Sequence, residues 1–268
     1  MRDMTPSAYS PPAWLIWFAG FGLCANLVVA GVVNFRIYWA RAAYIAAHPD
    51  RVADRPPTIS QALADPAIQQ VFAQWILVSA VLLYAAVMAI TVSQLHVLFR
   101  GPALPPRARR IMLRLAAAVV PVQAVACIGM VILSQYTFPA HRDTHMLGSY
   151  LFFGAQAAAV VIGLYYSAML ARDPETRAVM AGAGVLHPPA NRVRLVAGSV
   201  SIGLAVLYLV LFFGKDLVAA DWAPLIYRTY TTTEPLCISS FLLFVLLYTA
   251  DLARLIRSRR RRAAVLRA

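Results

Sequence analysis

Apolar residues along this chain fall into six runs of about twenty or more residues, separated by short polar or basic connectors. A helix rises about 1.5 Å per residue and the hydrocarbon core of a bilayer is roughly 30 Å thick, so each run is long enough to cross a membrane. The pattern predicts spans over about 14–39, 66–99, 111–135, 145–171, 195–214 and 234–256, then a basic tail over 257–268. Trp14 and Trp17 at one end of the first span, and Tyr38 and Trp39 at the other, are placed as interfacial aromatics. The second span exceeds the bilayer thickness and must tilt or protrude, and Pro121 should kink the third. Asp65-Pro66 reads as a helix start, with Asp as N-cap and Pro at the first helical position. Asp173-Pro174-Glu175 predicts a short helix in the fourth connector. The fold class is therefore an all-α integral membrane protein, a single six-helix bundle.

Composition agrees. The chain is 61% hydrophobic and 13% charged, and soluble domains carry roughly twice that charged fraction. The net charge of +13 is concentrated in connectors and the tail without interleaved aromatics, which marks topology and excludes a nucleic-acid surface. Cys24, Cys127 and Cys237 form no CxxC pair, so neither a disulfide framework nor a zinc ribbon is indicated. The first apolar run is longer than a signal-peptide core and reads as an uncleaved span.

Seventeen of the 24 Lys and Arg residues lie on one side: Arg2, the second and fourth connectors with their flanks, Arg194 among them, and the tail. Seven lie on the other: Arg36, Arg41, Arg51, Arg55, Arg142, Lys215 and Arg228. The positive-inside rule then puts both termini in the cytoplasm and the first, third and fifth connectors outside. The membrane is the cell membrane in a bacterium, and the plasma membrane or an endomembrane otherwise. The arginine tail serves this topology, or it meets anionic lipid heads or a protein partner at the cytoplasmic face.

Some positions inside the spans are polar. On the fourth span, Gly148, Ser149, Phe152, Gln156, Ala159 and Gly163 share the face of His145, while Leu147, Gly154, Val161 and Tyr165 lie opposite. The first face should point into the bundle as a packing seam, with Gln156 as an interhelical hydrogen-bonding group. Asn26 and Gln123 read the same way, and Asp251 lies near the cytoplasmic end of span six with arginines nearby. At the outer ends, Asn34, Arg36, Gln74, His145 and Glu234 lie near Pro57, Ile59 and Ser60 of the first connector. Ionisable groups at membrane depth need partners, so this set is either a network tying helix ends together or a ligand site.

Two sharper chemistries fit the residue types. Ser60, His145 and Glu234 could be nucleophile, base and orienter, although no nucleophile-elbow glycines surround Ser60. His141, Asp143 and His145 have metal-ligand types with a histidine pair at i, i+4. Paired haem ligands are excluded because His96 and His145 lie at opposite membrane faces, and no cofactor is expected.

Pro57-x-Ile59-Ser60, Pro66 and Phe72, then His145 with Phe152-Phe153, then Glu234 with Tyr248 and Asp251, occur in an order and spacing that resembles the Frag1/DRAM/Sfk1 family of six-span membrane proteins. The resemblance covers roughly 14–256. Departures are Gln61 and Leu63, where the family commonly has Asp and Gly, and Pro235, where it has an aromatic. The resemblance implies Pro57, Ile59, Ser60, His145 and Glu234 as signature positions. It also implies a role around membrane lipid, since relatives act in autophagy, lipid-kinase scaffolding, lipid asymmetry and glycolipid-anchor remodelling. Three functions stay open: a non-enzymatic protein that organises, senses or regulates lipid or scaffolds a partner; a lipid-modifying enzyme using Ser60, His145 and Glu234 for acyl transfer or hydrolysis; and a small-solute transporter. No internal repeat supports the last.

The charge asymmetry generates a direct test. A topology reporter fused after Arg110 or Arg261 is expected to read cytoplasmic, and one at Ala53 external. A cytoplasmic signal at Ala53 overturns the orientation.

Overall fold

The computed structural model describes residues 9–265 apart from Asp54, with side chains described as far as Arg259. Arg2 and Arg267, and the side chains of Arg260, Arg261 and Arg262, therefore lie outside the described residues. Ten helices occur among the described residues: α1 (Ala13–Ala47), α2 (Pro49–Val52), α3 (Ile59–Ala62), α4 (Pro66–Arg100), α5 (Pro106–Gln135), α6 (Arg142–Arg172), α7 (Pro174–Gly182), α8 (Pro188–Gly214), α9 (Ala223–Leu246) and α10 (Thr249–Val265). Six are long and apolar enough to span a bilayer, the sixth made of α9 running on into α10 as far as Arg259.

Helix starts follow local chemistry. Asp65 accepts from the Ala67 N–H and Pro66 opens α4. Asp173 accepts from both the backbone and the hydroxyl of Thr176 ahead of Pro174, and these bonds hold its carboxyl below the usual carboxylate range. His187 Nδ1 accepts from Ala190 N–H ahead of Pro188.

Several helices outrun their apolar cores. α1 continues to Ala47 rather than ending near 39, and α8 begins at Pro188 rather than near 195. α9 begins at Ala223, so Glu234 sits about three turns inside the helix and not at its start. The threonine-rich stretch stays helical because Thr229, Thr231 and Thr233 each return their hydroxyl to a carbonyl of the preceding turn. The sixth span breaks at Leu247–Tyr248 and resumes as α10.

The early start of α8 corrects the reading of Arg194 as a connector charge. It is fully buried and pairs with Asp251, Asn191 Oδ1 and the Tyr248 ring, whose centroid is 4.1 Å from the guanidinium carbon. Asp251 also accepts from the His187 N–H at 2.6 Å. This cluster fastens the start of α8 to the start of α10.

The most extensive helix pairing is α5 with α6, followed by α1 with α4. Glycines set the first of these distances. A Cβ on Gly129 would run into the backbone nitrogen of Phe152, and one on Gly148 would lie 2.7 Å from Ile132 Cγ2 and Leu133 N. Elsewhere on the same face of α6, Gln123 Nε2 donates to Gln156 Oε1 at 3.1 Å. Gly163 gives room to Phe244, which also abuts Gly198 of α8.

Gly163→Leu is expected to lower stability by about 1–3 kcal/mol through overpacking against Phe244, whereas Val161→Leu, at a half-exposed position, stays near neutral. Thermal melting in detergent reads both; equal midpoints would show that α6 is turned the other way.

Candidate functional site

The connector after α2 folds back over one end of the bundle. Its turn α3 is closed by a capping box: Thr58 Oγ1 accepts from Gln61 N, and Gln61 Oε1 accepts from Thr58 N at 2.9 Å. Ile59, Ala62 and Leu63 are buried against the bundle. Arg41 of α1 donates Nε to the Pro57 carbonyl at 3.1 Å, and Tyr227 of α9 donates its hydroxyl to Gln61 Oε1 at 3.0 Å.

Two consecutive residues then bind two different spans. The Ile59 N–H donates to Glu234 Oε2 at 2.8 Å, and Ser60 Oγ lies 2.8 Å from His145 Nε2. His145 Nδ1 lies 2.7 Å from the Tyr136 carbonyl. A carbonyl only accepts, so Nδ1 carries a proton; in the neutral ring Nε2 is then the acceptor and the Ser60 hydroxyl the donor. Both His145 and Glu234 are buried, at 2% and 4% exposure. Among the described residues no hydrogen bond or ion pair joins the two directly; the connector joins them through Ile59 and Ser60. The orienter of His145 is therefore the Tyr136 carbonyl and not Glu234.

Beside this cluster lies a cavity of about 1110 Å³ between α3, α6, α8 and α9. Its mouth carries Ser60, Gln61, His145, Lys215, Tyr227 and Glu234. Its depth is apolar, with Gly154, Ala157 and Val161 of α6 facing Ile202, Ala205 and Val206 of α8. Leu147, Val161, Val206 and Leu209 on its walls are each about half exposed, so it opens along the side of the bundle. From His145 to Val161 the wall runs about 24 Å along α6 at about 1.5 Å per residue. Tyr208 and Tyr230 stack near the mouth with centroids 5.4 Å apart, and Lys215 Nζ lies 5.4 Å from the Phe212 centroid.

Of the remaining sequence candidates, Asp143 lines the cavity and the others lie apart from it. Pro57 is buried beneath the connector and offers only its carbonyl. Asn34 bonds to the Ala30 carbonyl and accepts from Ser239 at 2.6 Å. Arg36 lies over the ring of Trp75 at 5.0 Å, beside Phe35 and Trp39. Gln74 is exposed, and none of these four lines the cavity. His141, Asp143 and His145 do not converge: His141 packs edge-on against Tyr136, and no group of three metal-ligating side chains comes together among the described residues. The Tyr136 carbonyl and the aromatic wall of Tyr208 and Tyr230 had no sequence signal, because main-chain atoms carry none and aromatics are common in spans.

The Ile59–Glu234 bond can be tested by itself. Glu234→Gln keeps an acceptor and is expected to preserve the connector, whereas Glu234→Leu strands the Ile59 N–H at a cost of about 1–3 kcal/mol. Faster proteolysis at Arg55 and a lower melting midpoint in Glu234→Leu alone are the expected readouts.

No curated protein and no solved structure matches the chain. A family model does, the Frag1/DRAM/Sfk1/Cwh43P N-terminal domain, over residues 8–255. With six apolar helices in the fold and the matched region covering nearly all of it, the chain belongs to the Frag1/DRAM/Sfk1/Cwh43P N-terminal domain family of multi-pass membrane proteins.

Proposed function

We propose that the protein binds one membrane lipid in the lateral cleft between α6, α8 and α9, and through it organises or senses lipid in that leaflet. The observation that carries this reading is the division of the cleft into a polar mouth and an apolar depth. A lipid has the same division. Its head would meet Ser60, His145, Lys215 and Tyr227, and a chain would lie between the small residues of α6 and the branched residues of α8. The basic asymmetry of the connectors supports the outer leaflet. The cleft is long enough for an extended acyl chain and opens toward the bilayer, as an in-membrane exchange site requires.

Gly154→Trp tests it. Gly154 lines the cleft and has open space where a Cβ would sit, so an indole there starts into the cleft and not into a neighbouring helix. Native mass spectrometry of protein released from nanodiscs is expected to show one retained lipid for the wild type and its loss in Gly154→Trp, at an unchanged melting midpoint. Equal retention by both proteins overturns the reading.

A further inference from the structure

Ser60 ties the connector to α6, but it does so through a ring nitrogen that is also a base. The turn it sits in is already capped by Thr58 and Gln61, and Ile59 already ties the connector to α9. Its hydroxyl is instead spent on the one acceptor nitrogen of a buried histidine at the mouth of the cleft. That histidine is held in a single tautomer by the Tyr136 carbonyl. A hydroxyl donating to an imidazole whose other nitrogen is oriented by a third group is the arrangement that activates a serine.

We propose that Ser60 is a nucleophile and His145 its general base, acting on the carboxylic ester of a lipid in the cleft; this rests on the lipid reading above for its substrate. Ser60 Oγ forms a bond to the ester carbonyl carbon as its proton passes to His145 Nε2. The carbon–oxygen bond to the lipid alcohol then breaks, and that oxygen leaves with the proton from Nε2. The acyl group is left as an ester on Ser60. Water or a second alcohol gives its proton to Nε2 and attacks the acyl carbon, the bond to Ser60 Oγ breaks, and Oγ takes the proton back from Nε2, so atoms and charge balance with no redox partner. While Nε2 holds the proton, the imidazolium keeps its Nδ1–H on the Tyr136 carbonyl, which accepts a stronger bond from a charged ring. Gln61 Oε1 is already held by Thr58 N and Tyr227, so the amide next to Ser60 is fixed in orientation. Glu234 takes no step: its carboxylate positions Ile59, and so Ser60, from the other side.

The test uses the full chain in nanodiscs and a small fluorophosphonate, which bonds to activated serines. Ser60 is expected to be the labelled residue by peptide mass spectrometry, with labelling absent in Ser60→Ala. His145→Gln keeps a hydrogen-bond acceptor for Ser60 but is not a base, and is expected to slow labelling about a hundredfold or more at an unchanged melting midpoint. If the folded wild type forms no adduct at Ser60, or His145→Gln labels at the wild-type rate, the pair is only a clamp and the proposal fails. The lipid reading fails separately: a wild type that labels at Ser60 but retains no lipid, or that retains no more than Gly154→Trp does, upholds the nucleophile and overturns the cleft. Lipid retained with Ser60 never labelled does the reverse.

Discussion

Inside a bilayer there is no water to take the hydrogen bonds that a polar group loses on burial, and an unsatisfied group there costs several kcal/mol. The few polar side chains of this bundle are therefore the ones that choose helix neighbours. Asn26 of α1 donates to the Val245 carbonyl of α9 at 2.9 Å, Gln123 binds Gln156 between α5 and α6, and Ser201 of α8 reaches the Ser240 carbonyl of α9 at 3.0 Å. Asn191 of α8 donates to the Ser167 carbonyl of α6. Apolar packing holds any two spans together without preference, since lipid tails are as apolar as leucine; these bonds supply the preference.

Arg194 and Asp251 are the extreme case. Either alone in the bundle would be a buried charge without a counter-charge, and together they are still a weak source of stability compared with well-packed hydrophobes. What the pair supplies is register. It fixes where α8 starts relative to the break after α9, at the opposite end of the molecule from Ser60. The two ends thus share a design, in which a carboxylate on the sixth span accepts a backbone N–H from a connector: His187 for Asp251, Ile59 for Glu234.

The six spans and the helix starts at Pro66 and Pro174 were legible, because hydropathy runs and Asp-Pro starts are local signals. The inward face of α6 was legible too, as the Gly148, Gln156 and Gly163 contacts display. The position of Glu234 within its helix was not, because threonines that favour connectors by propensity were satisfied by their own helix. Arg194 read as a surface charge since arginines in connectors usually are. His145 and Ser60 could be named as a set, but their bond, and the Tyr136 carbonyl behind it, depend on how the connector folds back, which no spacing encodes. The cleft itself was hidden because it is made by what Gly154, Ala157 and Ala158 lack, and the same small residues also serve close packing.

The bonds from Ile59 and Ser60 strap α9 to α6 across the water-facing end of the cleft, while its long opening faces the acyl chains. Anything that enters has to arrive sideways, by diffusion in two dimensions. For the lipid proposed above, occupancy is then governed by mole fraction within one leaflet and not by aqueous solubility. A molecule almost absent from water can saturate such a site, and a soluble analogue of its head group, lacking the chain, meets the strap first.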